Sequence, residues 1–259
     1  MTSAFLHTDF SSSRLVRLLA NFSAADATEC RQDFTERLGQ WLGIADTIRL
    51  SSVHNAISSK LPGPGEPREA QSVAIACLQD EFVRVRLDQG NLIRKGASNI
   101  GGAQTKASLP QSGTVSEMAA DYRSYHRYYL ARQRDMESSI GRLRANIREA
   151  LSSASSSLMK LAVLDSTFEE LLCVRERELL SVVPVLLEKR FEQLSSTPLH
   201  MLDASALPDD SMSQMPSLEK WLQVFCDELQ EILLAELDVR LLPAKGLIDA
   251  FGNEVNQIK

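Results

Sequence analysis

A single long stripe of apolar and aromatic residues organises the centre of the chain. Between residues 115 and 151 these side chains recur at spacings of mostly three and four, which is the period of one helix face packed against a partner helix. The stripe consists of Met118, Tyr122, Tyr125, Tyr129, Met136, Ile140, Leu143, Ile147 and Leu151. We therefore predict a long helix over residues 115–151 with this stripe as its buried seam.

A second long helical segment covers residues 158–194. Its predicted seam consists of Leu161, Leu164, Phe168, Leu171, Leu172, Leu179 and Leu186. Pro184 lies inside the segment, and because proline removes a backbone hydrogen bond and clashes with the preceding turn, we predict a kink or break near Val183. The run SSASSS at residues 152–157 precedes the segment, and we predict a turn there between two antiparallel helices.

The third long segment starts at a Ser217 cap with Glu219 in its first turn, and it is predicted to stop before Pro243. Its apolar positions are Leu218, Trp221, Leu222, Phe225, Leu229, Ile232, Leu233 and Leu237. This stripe is wider than the contact between two helices requires. We therefore expect the third segment to be buried on two sides.

Four shorter helical segments precede these, over residues 12–22, 30–43, 44–60 and about 68–95. The first three carry apolar faces with helical spacing. The fourth is predicted to bury Val73, Ala76, Cys77, Val83 and Leu87, with Asp80 as an interruption. Short amphipathic helices of this kind form a compact bundle.

Breaks rich in proline, glycine and serine divide the chain. LPGPGEP at residues 61–67 cannot continue a helix. Residues 96–113 are predicted to be a flexible linker, and residues 195–217 a long surface loop. The sequence therefore predicts an all-α protein with a small helical bundle over 1–95, followed by a bundle of long antiparallel, coiled-coil-like helices over 114–259.

Tyrosines and arginines alternate along residues 121–136, DYRSYHRYYLARQRDM. With an advance of about 100° per residue, three of the tyrosines fall on the seam, and Tyr128 lies at its margin. The arginines on the roughly opposite face are Arg123, Arg127, Arg134 and Arg148. Because rings and cations are mostly on different faces, the helix does not offer the mixed surface that stacks on single-stranded nucleic acid.

Charge is distributed unevenly along a chain whose net charge is −6. Residues 121–148 carry seven basic against three acidic side chains, whereas residues 149–259 carry nine against nineteen. The pairs Arg123/Arg127 and Arg144/Arg148 place like charges one turn apart, which disfavours an isolated helix. Either the acidic half of the chain, with Glu169 among its members, or an external anion such as nucleic acid is expected to neutralise them.

The sequence carries no spacing typical of an active site or metal site. The four histidines are isolated from one another and from the cysteines, and no phosphate-binding glycine motif or nucleophile elbow occurs. We predict no catalytic residue, metal or cofactor, and interpret Cys30, Cys77, Cys173 and Cys226 as small core residues. No apolar run is long enough to span a membrane, so we expect a cytoplasmic protein.

Three stretches together resemble a known bacterial family. They read RLVRLLANFSAADATECRQDFTERLGQWLGIADTIRLS, YRSYHRYYLARQRDMESSIGRLRANIREAL and LLAELDVRLLPAKGLIDAFGNE. They are similar to domain-of-unknown-function family three-three-four-eight, over most of the chain. The resemblance implies a gene beside MotA-like and OmpA-like proteins, as in type III Zorya anti-phage defence systems, where this family supplies the accessory component ZorF.

Three functional hypotheses follow. The leading one is a non-enzymatic helical accessory protein that binds the MotA-like motor protein or a companion accessory protein, with a possible oligomer and no membrane insertion. The first alternative is a nucleic-acid-binding protein that uses Arg123, Arg127, Arg134 and Arg148. The second is an enzyme such as a nuclease, whose site would be assembled from distant segments.

Overall fold

The computed structural model describes residues 14–22, 43–58, 67–99, 122–196 and 217–257. Every element in these ranges is a helix, which confirms the predicted all-α class. The helices are α1 (Arg14–Phe22), α2 (Ile44–Ser58), α3 (Arg68–Asn99), α4 (Tyr122–Ala154), α5 (Ser156–Leu180), α6 (Val182–Ser196) and α7 (Ser217–Gln257). Helices α3, α4 and α7 contain 32, 33 and 41 residues. At about 1.5 Å per residue, α7 is roughly 60 Å long.

Contacts at the helix ends define the directions of the long helices. The side-chain amide of Gln71, near the start of α3, donates to the carbonyl of Ala154 at the end of α4 at 3.1 Å. Helices α3 and α4 are therefore antiparallel. Ser155, which follows α4, donates its hydroxyl to Glu254 near the end of α7 at 2.5 Å. Helix α7 therefore runs parallel to α4.

Helix α7 lies at the centre of the bundle. It packs against α1, α3, α4, α5 and α6, which confirms the prediction that its wide stripe is buried on more than one side. Its core residues are Trp221, Phe225, Leu229, Ile232, Leu233, Leu237, Leu241, Leu247, Ile248 and Phe251. The seam of α4 is equally well predicted, since Tyr125, Tyr129, Met136, Ile140, Leu143, Ile147 and Leu151 are all buried.

The serine-rich run forms the predicted turn between α4 and α5. Ser155 has φ −156° and ψ 163°, an extended conformation, and its hydroxyl accepts a hydrogen bond from the backbone N–H of Leu158 at 3.1 Å. A serine in this position satisfies one of the unpaired donors at the start of a helix. Because the turn is so short, α5 folds back along α4 as an antiparallel hairpin.

The predicted break near Val183 is confirmed. Helix α5 ends at Leu180, and α6 begins at Val182. Pro184 lies in the first turn of α6, where a backbone N–H would have no partner within the helix. The seam predicted for this segment is wrong, because Leu179 is exposed and the other six seam residues are only half-buried. The buried residues are Leu158, Ala162 and Thr167 in α5 and Val183, Leu187, Phe191 and Leu194 in α6.

The prediction that the last helix stops before Pro243 is wrong. Helix α7 continues through this residue to Gln257. Leu241 and Ala244, on either side of the proline, are buried. Proline removes a single backbone hydrogen bond from the helix, and the burial of apolar residues before and after it favours continuation.

The face predicted to be buried on α3 is also wrong. Val73, Val83 and Leu87 are more than half exposed, and Cys77 is exposed. The buried side chains of α3 are Gln71, Leu78, Gln89 and Ile93. Two of these are polar, and their burial is possible because each amide finds a partner. Gln71 bonds to α4 as described above, and Gln89 donates to the hydroxyl of Ser139 at 3.0 Å.

Helices of the predicted N-terminal bundle pack against the long helices. Helix α3 contacts α4 and α7, α2 contacts α5, and α1 contacts α6 and α7. Leu15 of α1 and Leu78 and Ile93 of α3 belong to the same core as the α7 residues. The division into units over 1–95 and 114–259 remains a prediction, based on the breaks rich in proline, glycine and serine.

Several predicted features lie outside the described residues. They are residues 30–42 of the helix predicted over 30–43, residues 115–121 of the long helix and residues 197–216 of the loop. The predicted linker over 96–113 begins inside α3, which continues to Asn99, and residues 100–113 lie outside the described ranges.

Candidate interaction surfaces on the long helices

The tyrosines of α4 are interior residues, as the projection predicts. Tyr125 and Tyr129 are buried. The ring of Tyr125 meets that of Phe225 edge to face at 5.3 Å, a preferred geometry for aromatic pairs. The half-buried Tyr122 donates its hydroxyl to the carbonyl of Pro184 at 2.5 Å. Burial raises the pKa of Tyr122 and Tyr125 well above the ordinary value of a phenol.

Tyr128 lies at the seam margin, as predicted. Its hydroxyl donates to the carbonyl of Ile93 in α3 at 3.0 Å, and the guanidinium carbon of Arg132 lies 5.5 Å from its ring centre. Burial raises its pKa to about 12, against the opposing charge of Arg132. A side chain on Gly96 would overlap the Tyr128 ring. The close contact of α3 with α4 at this point therefore requires glycine.

A buried polar cluster joins α4 to α7. Glu236 has 0% of its surface exposed. Its carboxylate accepts hydrogen bonds from the Tyr129 hydroxyl at 2.6 Å, from the Gln133 amide at 2.9 Å and from Nε of Arg240 at 2.9 Å. Arg240 also donates to Glu176 of α5 at 2.8 Å. Burial first, and then the negative charge and hydrogen bond of Glu236, raise the pKa of Tyr129.

Sequence reasoning missed this cluster, although a signal was present. Glu236 lies three residues after Leu233 and four before Arg240, which places it on the apolar stripe of α7. A single acid on a wide apolar face indicates either an interruption of the face or a satisfied buried carboxylate. Tyr129 and Gln133, which donate to the carboxylate and show that it is satisfied, belong to α4 and lie more than 100 residues away in sequence.

Three of the four predicted binding arginines share an exposed face. Arg123, Arg127 and Arg134 of α4 are exposed, and Arg127 donates to the hydroxyl of Ser124 at 3.4 Å. Arg148 differs from them, because 19% of its side chain is exposed and it forms ion pairs with α5. The structure therefore separates Arg148 from the surface formed by the other three.

Arg144 and Arg148 form a four-residue ion-pair cluster with Asp165 and Glu169. Asp165 accepts from Arg144 at 2.7 Å and from Arg148 at 3.0 Å. Glu169 accepts from the same two arginines at 2.9 Å and 2.5 Å. Partial burial lowers the pKa of Arg148, but its hydrogen bonds to Glu169 and Asp165 outweigh this and leave the pKa raised. Carboxylates of the acidic half of the chain therefore neutralise Arg144 and Arg148, and no external anion is needed. The sequence did not indicate Asp165 as one of these carboxylates.

Other carboxylates of the acidic half also pair with arginines of neighbouring helices. The pairs between different helices are Arg14–Glu231, Arg49–Glu170, Arg86–Asp238, Arg190–Glu228 and Arg240–Glu176. In a further pair, Arg177–Glu137, the carboxylate belongs to α4 and the arginine to α5. Surface pairs of this kind each contribute little to stability. Together they show that much of the acidic charge faces basic side chains of the same chain.

A group of exposed apolar side chains surrounds the junction of α5 and α6. Val174, Leu179, Val182 and Val185 are 56%, 55%, 52% and 50% exposed. We call these four residues the junction patch. Single exposed apolar residues are common on protein surfaces, whereas contiguous apolar patches mark interaction sites. These four side chains lie within twelve residues of the chain.

Of the described cysteines, only Cys226 fulfils the prediction of a core residue. It is buried, and burial raises the pKa of its thiol to about 12. Cys77 is exposed and Cys173 is half-buried. For Cys77 the prediction was wrong because the other face of α3 packs inward. Cys30 lies outside the described residues.

A shallow groove of about 250 Å³ lies beside the ion-pair cluster, between α4 and α5. Its lining consists of Arg148, Glu149, Ser152, Ala162, Val163 and Ser166. Within the described ranges, no three histidine, cysteine or acidic side chains are grouped as metal ligands. None of the described helices has an apolar stretch long enough to cross a membrane.

These features define an elongated helical bundle with a hydrogen-bonded polar cluster in its interior, an arginine face and an exposed junction patch. The chain belongs to the family described as protein of unknown function (DUF3348), whose model matches residues 1–253. No curated protein and no solved structure matches the chain.

Proposed function

We propose that the chain is a non-enzymatic helical interaction protein of the cytoplasm. Its partner is the cytoplasmic tail of a MotA-like motor protein, within an anti-phage complex that also contains an OmpA-like protein. The sequence resemblance described above suggests the partner. The observation that carries the interaction role is the junction patch, four apolar side chains that are each at least half exposed.

The patch has the composition of a helix-docking site. Ion pairs at its border involve Arg175 with Glu178 at 2.8 Å and Arg177 with Glu137 at 2.6 Å. Apolar centres with charged rims are typical of protein interfaces. An amphipathic helix of the partner would lay its apolar face across the valines, with its polar residues toward the rim.

Co-purification with the MotA-like protein tests this proposal. We expect the wild-type chain to recover the partner and the variant Val182→Glu/Val185→Glu to recover at least tenfold less, because two buried charges oppose docking. Val73→Glu, at a valine of α3 that is 64% exposed, is the control and should bind as wild type. Failure of the wild-type chain to recover the partner, or equal recovery by both variants, would contradict the proposal.

Nucleic-acid binding is the second candidate, and one observation favours it. Arg123, Arg127 and Arg134 are exposed on one face of α4, whereas Arg144 and Arg148 further along the helix pair with acidic residues of α5. Three phosphate contacts would give a plot of log affinity against log salt with a slope of about −3. Binding of this kind depends on the arginine face and not on the junction patch.

A gel-shift assay at low and moderate salt distinguishes the two candidates. The variant Arg123→Glu/Arg127→Glu/Arg134→Glu should lose binding, whereas Arg142→Glu, on the same helix but on another face, should retain it. Absence of binding by the wild-type chain at low salt would exclude this candidate and leave the first one untouched.

A further inference from the structure

The buried apolar surface of α7 repeats along the helix axis. Leu229, Leu233, Leu237 and Leu241 of α7 are spaced by four residues, and each is 2% exposed or less. A slide of α7 by four residues, about 6 Å, would place leucine where leucine was. Apolar contact therefore distinguishes poorly between the observed register and a shifted one, just as uniform apolar seams do in coiled coils.

The polar cluster around Glu236 does not repeat. Four residues before Glu236 lies Ile232, and four residues after it lies Arg240. A slide that moves Ile232 into the position of Glu236 would leave the Tyr129 hydroxyl and the Gln133 amide buried without an acceptor. The opposite slide would move the carboxylate away from both donors. Either change leaves buried polar groups unsatisfied, which is costly in an apolar interior.

We propose that the cluster of Tyr129, Gln133, Glu236 and Arg240 determines the axial register of α7 against α4. This role goes beyond that of an ordinary core contact and is independent of the proposed interaction partner. The cluster reaches a third helix, because Arg240 also bonds to Glu176 of α5. It therefore sets the position of the acidic α7 surface relative to both arms of the α4–α5 hairpin. A buried polar group that fixes register at some expense of stability is well known in helical assemblies.

The test compares distances between spin labels by pulsed electron paramagnetic resonance. Labels at the exposed positions Ala145 on α4 and Gln223 on α7 are attached in a chain whose native cysteines have been replaced. In the parent we expect one distance. In the apolar variant Tyr129→Phe/Gln133→Leu/Glu236→Leu we expect a second population shifted by about 6 Å, because the leucine repeat alone cannot choose the register.

A matched control separates register from stability. Leu229→Ala shortens a buried side chain of α7 and leaves all four residues of the cluster in place, so it should lower the urea midpoint while keeping a single distance. If the apolar variant also keeps the single parent distance, the proposal is overturned, since apolar packing would then suffice to set the register.

A second variant decides the outcome if the apolar variant does not fold. The exchange Gln133→Glu/Glu236→Gln moves the carboxylate from α7 to α4 and keeps acceptors for every donor of the cluster. We expect Gln133→Glu alone and Glu236→Gln alone each to give two distances and a broadened unfolding transition. The exchange variant should give the single distance and the sharp transition of the parent. An exchange variant that behaves no better than the single substitutions would overturn the proposal.

Discussion

Each half of α4 contains two arginines one turn apart, but the surroundings of the two pairs differ. Arg123 and Arg127 in the first half are exposed, whereas Arg144 and Arg148 in the second half are sequestered by carboxylates of α5. Both pairs are like charges one turn apart, so local sequence does not distinguish them. The difference arises from which helix lies alongside each half.

The end of α5 explains the difference. Helix α5 runs back along α4 only as far as the pair between Arg177 and Glu137, and it ends at Leu180. Beyond this point the chain continues as α6, which packs mainly against α7. The outer face of the first half of α4 therefore lies beyond the reach of the carboxylates of α5. A break of one residue thus decides which arginines of α4 pair with carboxylates of α5.

Alkaline pH should produce the largest effect, and it acts on the first half of α4. The folded-state pKa values of Tyr125 and Tyr129 lie above the unfolded value near 10, so their contribution is complete below pH 10 and is lost as the pH rises. Each buried phenol should remove about 1.4 kcal/mol of the free energy of unfolding per pH unit above 10. Two of them give about 3 kcal/mol per unit.

Urea unfolding at pH 9, 10 and 11, followed by circular dichroism, measures this loss. Tyr125→Phe keeps the ring that packs against Phe225 but has no phenol to ionise. Its free energy of unfolding should therefore fall with pH by about 1.4 kcal/mol per unit less than that of the wild type. Identical slopes for the two proteins would show that Tyr125 ionises as readily in the folded chain as in the unfolded chain.

Much of the fold could be predicted because the long helices have one dominant apolar face. The seam of α4 and the stripe of α7 contain few competing residues, and Ser155 supplies a recognisable turn. The face of α3 could not be predicted in this way. Its buried face includes Gln71 and Gln89, whose partners are supplied by α4, and no local pattern reveals partners so distant in sequence.

The candidate surfaces were less predictable than the fold. The projection correctly placed Arg123, Arg127 and Arg134 on the outside, but it grouped Arg148 with them. Periodicity assigns residues to faces of one helix and does not say which neighbour covers each face. The position of Asp165 opposite Arg148 depends on the length of the turn and the antiparallel direction of α5. Both are tertiary properties.

Removal of Asp165 should have the next largest effect, in the second half of α4. Its side chain is 11% exposed and it accepts from both Arg144 and Arg148. Asp165→Ala leaves two largely buried cations with Glu169 alone, and we expect a loss of about 2 kcal/mol, less than for a fully buried pair because Glu169 is partly solvated. Urea unfolding at pH 7 measures it.

Asp135→Ala is the control for this experiment. Asp135 also pairs with an arginine of α4, Arg132, at 2.9 Å, but it is 47% exposed. Its removal should lower the free energy of unfolding by no more than about 1 kcal/mol. Equal losses in the two variants would indicate that the α5 cluster is no more important than an exposed pair, and the contrast between the halves would disappear.

Neutralising the exposed arginines should have the smallest effect on stability. In Arg123→Gln/Arg127→Gln/Arg134→Gln we expect a change in the free energy of unfolding within about 0.5 kcal/mol. Relief of the repulsion between the first two, about 0.2 to 0.5 kcal/mol, offsets the loss of minor contacts. The matched variant Arg144→Gln/Arg148→Gln should lose about 2 kcal/mol, because Asp165 would remain largely buried without a cation. A large loss in the first variant would show that the exposed arginines are structural, and it would remove the reason to regard that face as a binding surface.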